Sequence, residues 1–238
     1  MTGADGTRFP GFDPAAQATH WDAVTAGVVL GRLGRPPDIR YFTPAQEAIA
    51  TALCDQLLGQ DSGRIVPVAA MIDARLAEAQ TDGWRYADLP EDGQAWRNTL
   101  GYLDEDARAK FGSGFAELAG TDQRAVIQAV QDLGSGEWHG LNAAHAWSLW
   151  TRYACTAFYS HPAAWTETGF PGPAYPRGYK NAGMDRREPF EVADVRPSAD
   201  PVAGRAASSA AGPDTGLMAG LAGDTAAGPL ADPLAGAS

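Results

Sequence analysis

The chain has 238 residues and carries 18 Lys and Arg against 29 Asp and Glu, a formal net charge of -11. That length suits one sizeable domain or two small ones. The acidic balance argues against a nucleic-acid backbone or an anionic membrane surface as partner, and the adjacent Arg186-Arg187 sit between Asp185 and Glu188 rather than in a basic patch.

Residues 1–40 are rich in Gly, Pro and Asp, and their scattered Phe9, Phe12 and Trp21 predict an extended arm that docks at a few points. A short amphipathic piece from Trp21 to Leu30 fits inside it, and Pro36-Pro37 stops any helix. Val28-Val29-Leu30 is too short for the apolar core of a signal peptide, and no twin-arginine pair accompanies it. No run approaches 18 apolar residues. The expectation is a soluble, cytoplasmic protein without direct membrane insertion, or one exported with a signal-bearing partner.

Thr43-Pro44-Ala45-Gln46 is a helix start: Thr43 caps, Pro44 suits the first helical position and Gln46 completes a capping box. Ile49, Leu53, Leu57 and Leu58 follow at near-helical spacing, and Gly59 is the stop. After a turn around Asp61-Ser62-Gly63 a second helix starts at Pro67. Val68, Met71, Ile72, Leu76 and Ala79 form its apolar stripe, and Asp73, Arg75 and Glu78 its wet face. Residues 81–93 read as a loop.

A third helical region runs from about Gln94 to Leu118 with Trp96, Leu100, Leu103, Phe111 and Phe115. Asp104 can cap a restart, and Gly112 and Gly114 weaken the region, so it is one helix or two. Thr121 is expected to cap the next helix, whose buried face is Val126, Ile127, Val130 and Leu133. Glu137 to Tyr159 then reads as a helix apolar on both sides, which places it centrally. No strand of useful length is legible. The fold class is all-α: an irregular helical bundle (41–159) followed by an extended aromatic- and proline-rich wrap (160–196). From Pro197 to Ser238 there are no aromatics. Such a tail cannot bury enough apolar surface to offset roughly 1–2 kcal/mol per residue of backbone entropy, so disorder is expected.

The chain lacks a phosphate loop, a dinucleotide fingerprint and a Cys-x-x-Cys-His haem site. No cofactor-binding, metal-binding or catalytic residue is therefore assigned. His139 and His145, six apart, would fall on different faces of a helix. Asp104-Glu105-Asp106 points three ways around a helix and reads as a solvated start. Cys54 and Cys155 read as buried, reduced thiols, or as a bridge within the chain or to a partner.

What remains is His161 to Tyr179. Pro162, Pro171, Pro173 and Pro176 exclude a long helix or an inner strand. Trp165, Phe170, Tyr175 and Tyr179 can each bury roughly 150–250 Å² and must lie on something. Either the segment seals its own bundle or it docks on another chain, and the two are compatible. Trp, Tyr and Arg carry interface energy, and prolines lower the ordering cost. The candidate partner-binding residues are Tyr159, His161, Trp165, Phe170, Tyr175, Arg177 and Tyr179.

These blocks resemble the gluconate 2-dehydrogenase subunit 3 family. The likeness begins at Tyr41-Phe42-Thr43-Pro44 and Ala52-Leu53-Cys54-Asp55-Gln56-Leu57. It continues through Leu103-Asp104, Phe111-Gly112 and Phe115-Ala116-Glu117-Leu118. It ends with Phe158-Tyr159-Ser160-His161-Pro162, Trp165, Gly169-Phe170-Pro171-Gly172-Pro173 and Tyr175-Pro176-Arg177-Gly178-Tyr179. The resemblance implies a non-catalytic helical subunit that binds and stabilises the flavin-dependent large subunit, of the glucose-methanol-choline type, of a sugar or polyol dehydrogenase. FAD and the catalytic residues would belong to that partner. Relatives commonly carry a twin-arginine signal, which residues 1–40 lack. Two other readings stand beside this one: a stand-alone small-molecule enzyme with a pocket near Tyr159, His161 and Glu167, and a scaffolding protein acting through its tail.

Overall fold

The computed structural model describes residues 9, 11–60, 62–181, 183 and 186–192. They run in order through a 3-10 helix (Pro14–His20), α1 (Ala23–Gly31), α2 (Pro44–Leu58), α3 (Val68–Ala77) and α4 (Asp92–Phe111). A 3-10 turn (Phe115–Glu117), α5 (Gly120–Asp132), β1 (Glu137–Trp138), β2 (Leu141–Asn142), α6 (Ala143–Tyr159) and α7 (Pro162–Thr168) follow. The fold is all-α apart from one two-residue hairpin. Among the described residues no helix is long and apolar enough to cross a membrane. The tail expected to be disordered, 197–238, lies outside the described residues.

Local chemistry explains most boundaries. At α2 the capping box is complete: Gln46 N donates to Thr43 Oγ1 at 3.3 Å and Thr43 N to Gln46 Oε1 at 3.0 Å. Gly59 closes the helix at φ 66°. The region after Gln94 is one 20-residue helix, with no restart at Asp104. Gly112, at φ 77°, ends it. Asp104 instead reaches across that turn and accepts from Phe115 N at 2.8 Å, folding the chain back. Thr121 does not cap α5; the helix begins two residues earlier than that cap would set it, at Gly120 after Ala119.

The helix expected from Glu137 starts only at Ala143. Residues 137–142 form an antiparallel hairpin pairing Glu137 with Asn142 and Trp138 with Leu141. Its two turn residues, His139 and Gly140, both have positive φ, 49° and 80°, the backbone that a tight two-residue hairpin needs. Asn142 then caps α6 by accepting from Ala144 N at 3.0 Å. His139 is thus not helical, and its Nε2 lies 2.9 Å from Asp106. Trp138 Nε1 donates to the same carboxylate at 2.8 Å. The acidic run at 104–106 is therefore largely structural, not simply solvated.

α6 is the axis of the bundle, in contact with α2, α3, α4, α5 and α7. Its inward residues Leu149, Trp150, Tyr153 and Ala154 are buried with Trp96, Leu100, Leu103 and Phe115. Trp150 Nε1 donates to Thr99 Oγ1 at 3.0 Å, and Thr99 Oγ1 donates to Ala95 O at 2.8 Å, whereas the buried Trp96 Nε1 has no hydrogen-bond partner among the described residues. Asp73 corrects the sequence reading most sharply. Expected on the wet face of α3, it is fully buried and accepts from the amides of Arg40, Tyr41 and Phe42 at 2.6, 2.8 and 2.7 Å.

Two further corrections concern the N-terminal arm and the cysteines. The described part of the N-terminal arm is not simply extended, because Asp13 and Asp22 each cap a helix there, the second matching the short piece expected from Trp21 to Leu30. Nor are both thiols buried. Cys54 is enclosed in the core, whereas Cys155 is exposed on α6, and both are free. Burial, then the neighbouring Asp55 charge, pushes the Cys54 thiol far above its usual range. A thiol-specific reagent at pH 8 is therefore expected to titrate one cysteine in the native protein and two after denaturation. Two fast equivalents under native conditions would contradict the packing of α2.

Candidate partner-binding face

The aromatic-proline segment is partly helical, which its prolines did not suggest. Pro162 is the first residue of α7, where its missing N–H is harmless. His161 is the cap: its Nδ1 accepts from Ala163 N at 3.2 Å, so its Nε2 carries the proton and donates to Arg32 O at 2.7 Å. Burial holds the imidazole below its usual range, consistent with that neutral tautomer. Both nitrogens are engaged, so His161 is a brace rather than a base.

Trp165 is likewise turned inward. It is buried in a small cluster with Trp21 and Val29, apart from the main core. Its Nε1 donates to Tyr159 O at 2.7 Å. Trp21 answers from the N-terminal side, donating from Nε1 to Pro173 O at 2.8 Å. Gly172, at φ 84°, lies against the Trp21 ring, and a Cβ there would sit 2.5 Å from Cζ2. Only glycine permits that approach. Arg177 is half-buried: its guanidinium lies 3.5 Å over the Phe190 ring and donates to Gln17 Oε1 at 2.9 Å. Glu188, also buried, accepts from Asn181 N at 2.5 Å and from the Lys180 amide.

His161, Trp165 and Arg177 thus serve the chain's own packing. The other four proposed residues face outward: Tyr159, Phe170, Tyr175 and Tyr179 are 41% to 64% exposed. Three of them are held from behind by a second ring. The Phe170 ring stands edge-on to Trp165 at 5.1 Å, Tyr159 to Phe158 at 5.2 Å, and Tyr179 packs on Phe190 at 6.0 Å. The sequence reading named Trp21 as a docking point of the N-terminal arm but missed Gln17 and Glu188. A large tryptophan in a Gly- and Pro-rich segment was the one available signal, and its partner is 152 residues away.

The chief alternative site is a cleft of about 550 Å³ between residues 28–37, α3 and α6. Ser160 borders it, but Tyr159, His161 and Glu167 do not. Of its charges, Arg75 pairs with Asp82, Glu78 and Arg35 pair with Arg40 and Asp38 from outside the lining, and Arg32 Nη1 donates to Ser160 O. Arg152, outside the lining, also pairs with Asp82. Tyr153 donates to Asp92 at 2.7 Å, and burial, then Asp92, raises its pKa well above the usual range. It stays protonated. No nucleophile stands beside a free base here. Among the described residues no three His, Cys, Asp or Glu gather as a metal site.

The model of the family described as gluconate 2-dehydrogenase subunit 3 matches residues 44–172. The chain belongs to the gluconate 2-dehydrogenase subunit 3 family. That match spans α2 to α7 and ends at Gly172, the contact with Trp21. In this subunit 3 chain Tyr159 and Phe170 lie inside the matched region, whereas Tyr175, Arg177 and Tyr179 lie beyond it. No curated protein and no solved structure matches the chain.

Proposed function

We propose that this chain is a non-catalytic small subunit that binds and stabilises the flavin-dependent catalytic subunit, of the glucose-methanol-choline type, of a sugar or polyol dehydrogenase. Family membership supports a dehydrogenase partner. The observation that carries the docking role is the row of rings at Tyr159, Phe170, Tyr175 and Tyr179, left exposed on a segment whose His161 and Trp165 are bonded inward. Rigid, half-exposed aromatics on a braced loop lose little entropy on association. FAD and the sugar chemistry sit in the partner. The enzyme reading fares worse, because His161 has no free nitrogen and Glu167 does not line the cleft.

Co-expression with the large dehydrogenase subunit of the same organism is expected to yield a yellow complex. Tyr175→Ala combined with Tyr179→Ala should weaken it at least 10-fold, about 1.4 kcal/mol or more. The free chain should melt within a few degrees of the parent, because both rings are more than half exposed. A large subunit that is soluble and fully active alone, and ignores this chain in pull-down, would end the proposal.

A further inference from the structure

The four exposed rings stand on unequal supports. Tyr159 ends α6, and Phe170 packs on Trp165 of α7. Tyr175 and Tyr179 lie past α7, on chain that is neither helix nor strand. Among the described residues, the hydrogen bonds that leave residues 170–181 end on Gln17, Trp21, Trp165, Arg187 and Glu188. None ends on α2 to α6, so no hydrogen bond from the bundle holds these two rings.

The N-terminal segment supplies the missing support, and it touches the chain beside every ring. Arg32 Nη1 donates to Ser160 O at 2.6 Å, and Arg32 O accepts from His161 Nε2 at 2.7 Å, directly after Tyr159. Phe9 lies against Gly169, next to Phe170; a Cβ on that glycine would sit 2.8 Å from the Phe9 ring. Trp21 Nε1 donates to Pro173 O at 2.8 Å, just before Tyr175. Gln17 Oε1 accepts from Arg177 Nη1 at 2.9 Å, midway between Tyr175 and Tyr179. Gln17 and Trp21 are themselves placed by the 3-10 helix that Asp13 caps, which Trp21 closes.

We infer that residues 11–32, with Phe9, are a strap that sets the spacing of the four docking rings, and that Gln17 and Trp21 are positioning residues for Tyr175 and Tyr179. The inference rests on the docking role proposed above. Irregular chain that orders only on binding weakens association, and chain already held loses less. Both grips act on the segment from behind: Trp21 takes a main-chain carbonyl, and Gln17 takes a guanidinium stacked on Phe190. The phenol rings stay exposed. The strap packs through its own cluster of Trp21, Val29 and Trp165, separate from the main core. It can therefore loosen while the bundle stays folded. The strap, Tyr175 and Tyr179 all lie outside residues 44–172, the part that matches the family, as the parts of one device would.

The test is a double-mutant cycle in the full chain, read as affinity for the co-expressed large subunit. Gln17→Ala/Trp21→Phe removes both grips and keeps an aromatic ring in the cluster. It is expected to weaken binding roughly 10-fold in the parent and less than about 2-fold in Tyr175→Ala/Tyr179→Ala, because it acts only through those rings. In the free chain the amides of Gly178, Lys180 and Asn181, all bonded within the segment, should exchange faster while α1 and α4 keep their protection. Unchanged exchange at those three would overturn the inference. Where α1 loses protection as well, Gln17→Ala alone repeats the cycle with Trp21 intact. Equal losses with and without the two rings would mean that the strap contacts the partner itself, and would also overturn it. Unchanged binding in the parent, with Tyr175→Ala/Tyr179→Ala still weakened, refutes the strap and leaves the docking role intact. No loss from Tyr175→Ala/Tyr179→Ala sinks both.

Discussion

Trp165→Ala is expected to raise the hydrogen-exchange rate of α1 amides roughly 100- to 4,000-fold while α4 amides keep their protection. The small cluster of Trp21, Val29 and Trp165 is separate from the main core, so its loss is felt locally. Truncating a buried tryptophan costs about 3–5 kcal/mol, and each 1.4 kcal/mol is a tenfold change in an opening equilibrium. The same ring fixes Tyr159 O and backs Phe170. Partner binding should therefore fall too, although Trp165 itself is buried. Trp165→Phe keeps the apolar contact but loses the bond to Tyr159 O. It should restore most α1 protection and less of the affinity. If Trp165→Ala leaves α1 amides as protected as in the parent, the N-terminal segment is held by something other than this cluster.

That result also revises what the aromatic-proline stretch means. The residue types announced that something must be covered, but not which rings do the covering. Proline density suggested an irregular wrap, yet Pro162 at a helix start is as favourable as Pro44 at α2. The orientation of Trp165 depends on Trp21, and sequence spacing cannot reveal a contact across more than 140 residues. The helices of the bundle were legible because their apolar positions recur at 3.6 and their caps are local. The hairpin at 137–142 was not. Its strands are two residues each, too short to show alternation, and His139-Gly140 is a less familiar turn pair than Asn-Gly. Asp73 was readable in part. Ala69, Ile72, Asp73 and Leu76 share one face of α3 and are all buried, so helical arithmetic placed the acid inside. The expectation that carboxylates face water overrode it.

Asp73→Ala is the substitution expected to cost the whole bundle most among its polar residues. The carboxylate takes three amide donors in a row, at Arg40, Tyr41 and Phe42, and so fixes the turn that delivers Thr43 to the start of α2. That turn carries load elsewhere: Arg97 donates to Tyr41 O at 2.8 Å and lies 3.9 Å over the Tyr41 ring, and Phe42 packs on Trp96. Hydrogen bonds to a charged group are worth about 1.5–3 kcal/mol each, with the largest penalty where the donor left behind is buried. The Phe42 amide is in that position; those of Arg40 and Tyr41 are partly buried and can rehydrate. A total near 3–5 kcal/mol follows, roughly 6–20 °C in Tm for a chain of this size. Asp73→Asn tests whether charge or shape matters. The amide keeps one acceptor oxygen but turns an NH2 toward an amide N–H, so it should recover less than half of the loss. Full recovery by asparagine would mean that one neutral acceptor suffices. A melting point for Asp73→Ala within about 3 °C of the parent would mean the 40–42 turn is held by Arg97 and the Phe42–Trp96 contact instead.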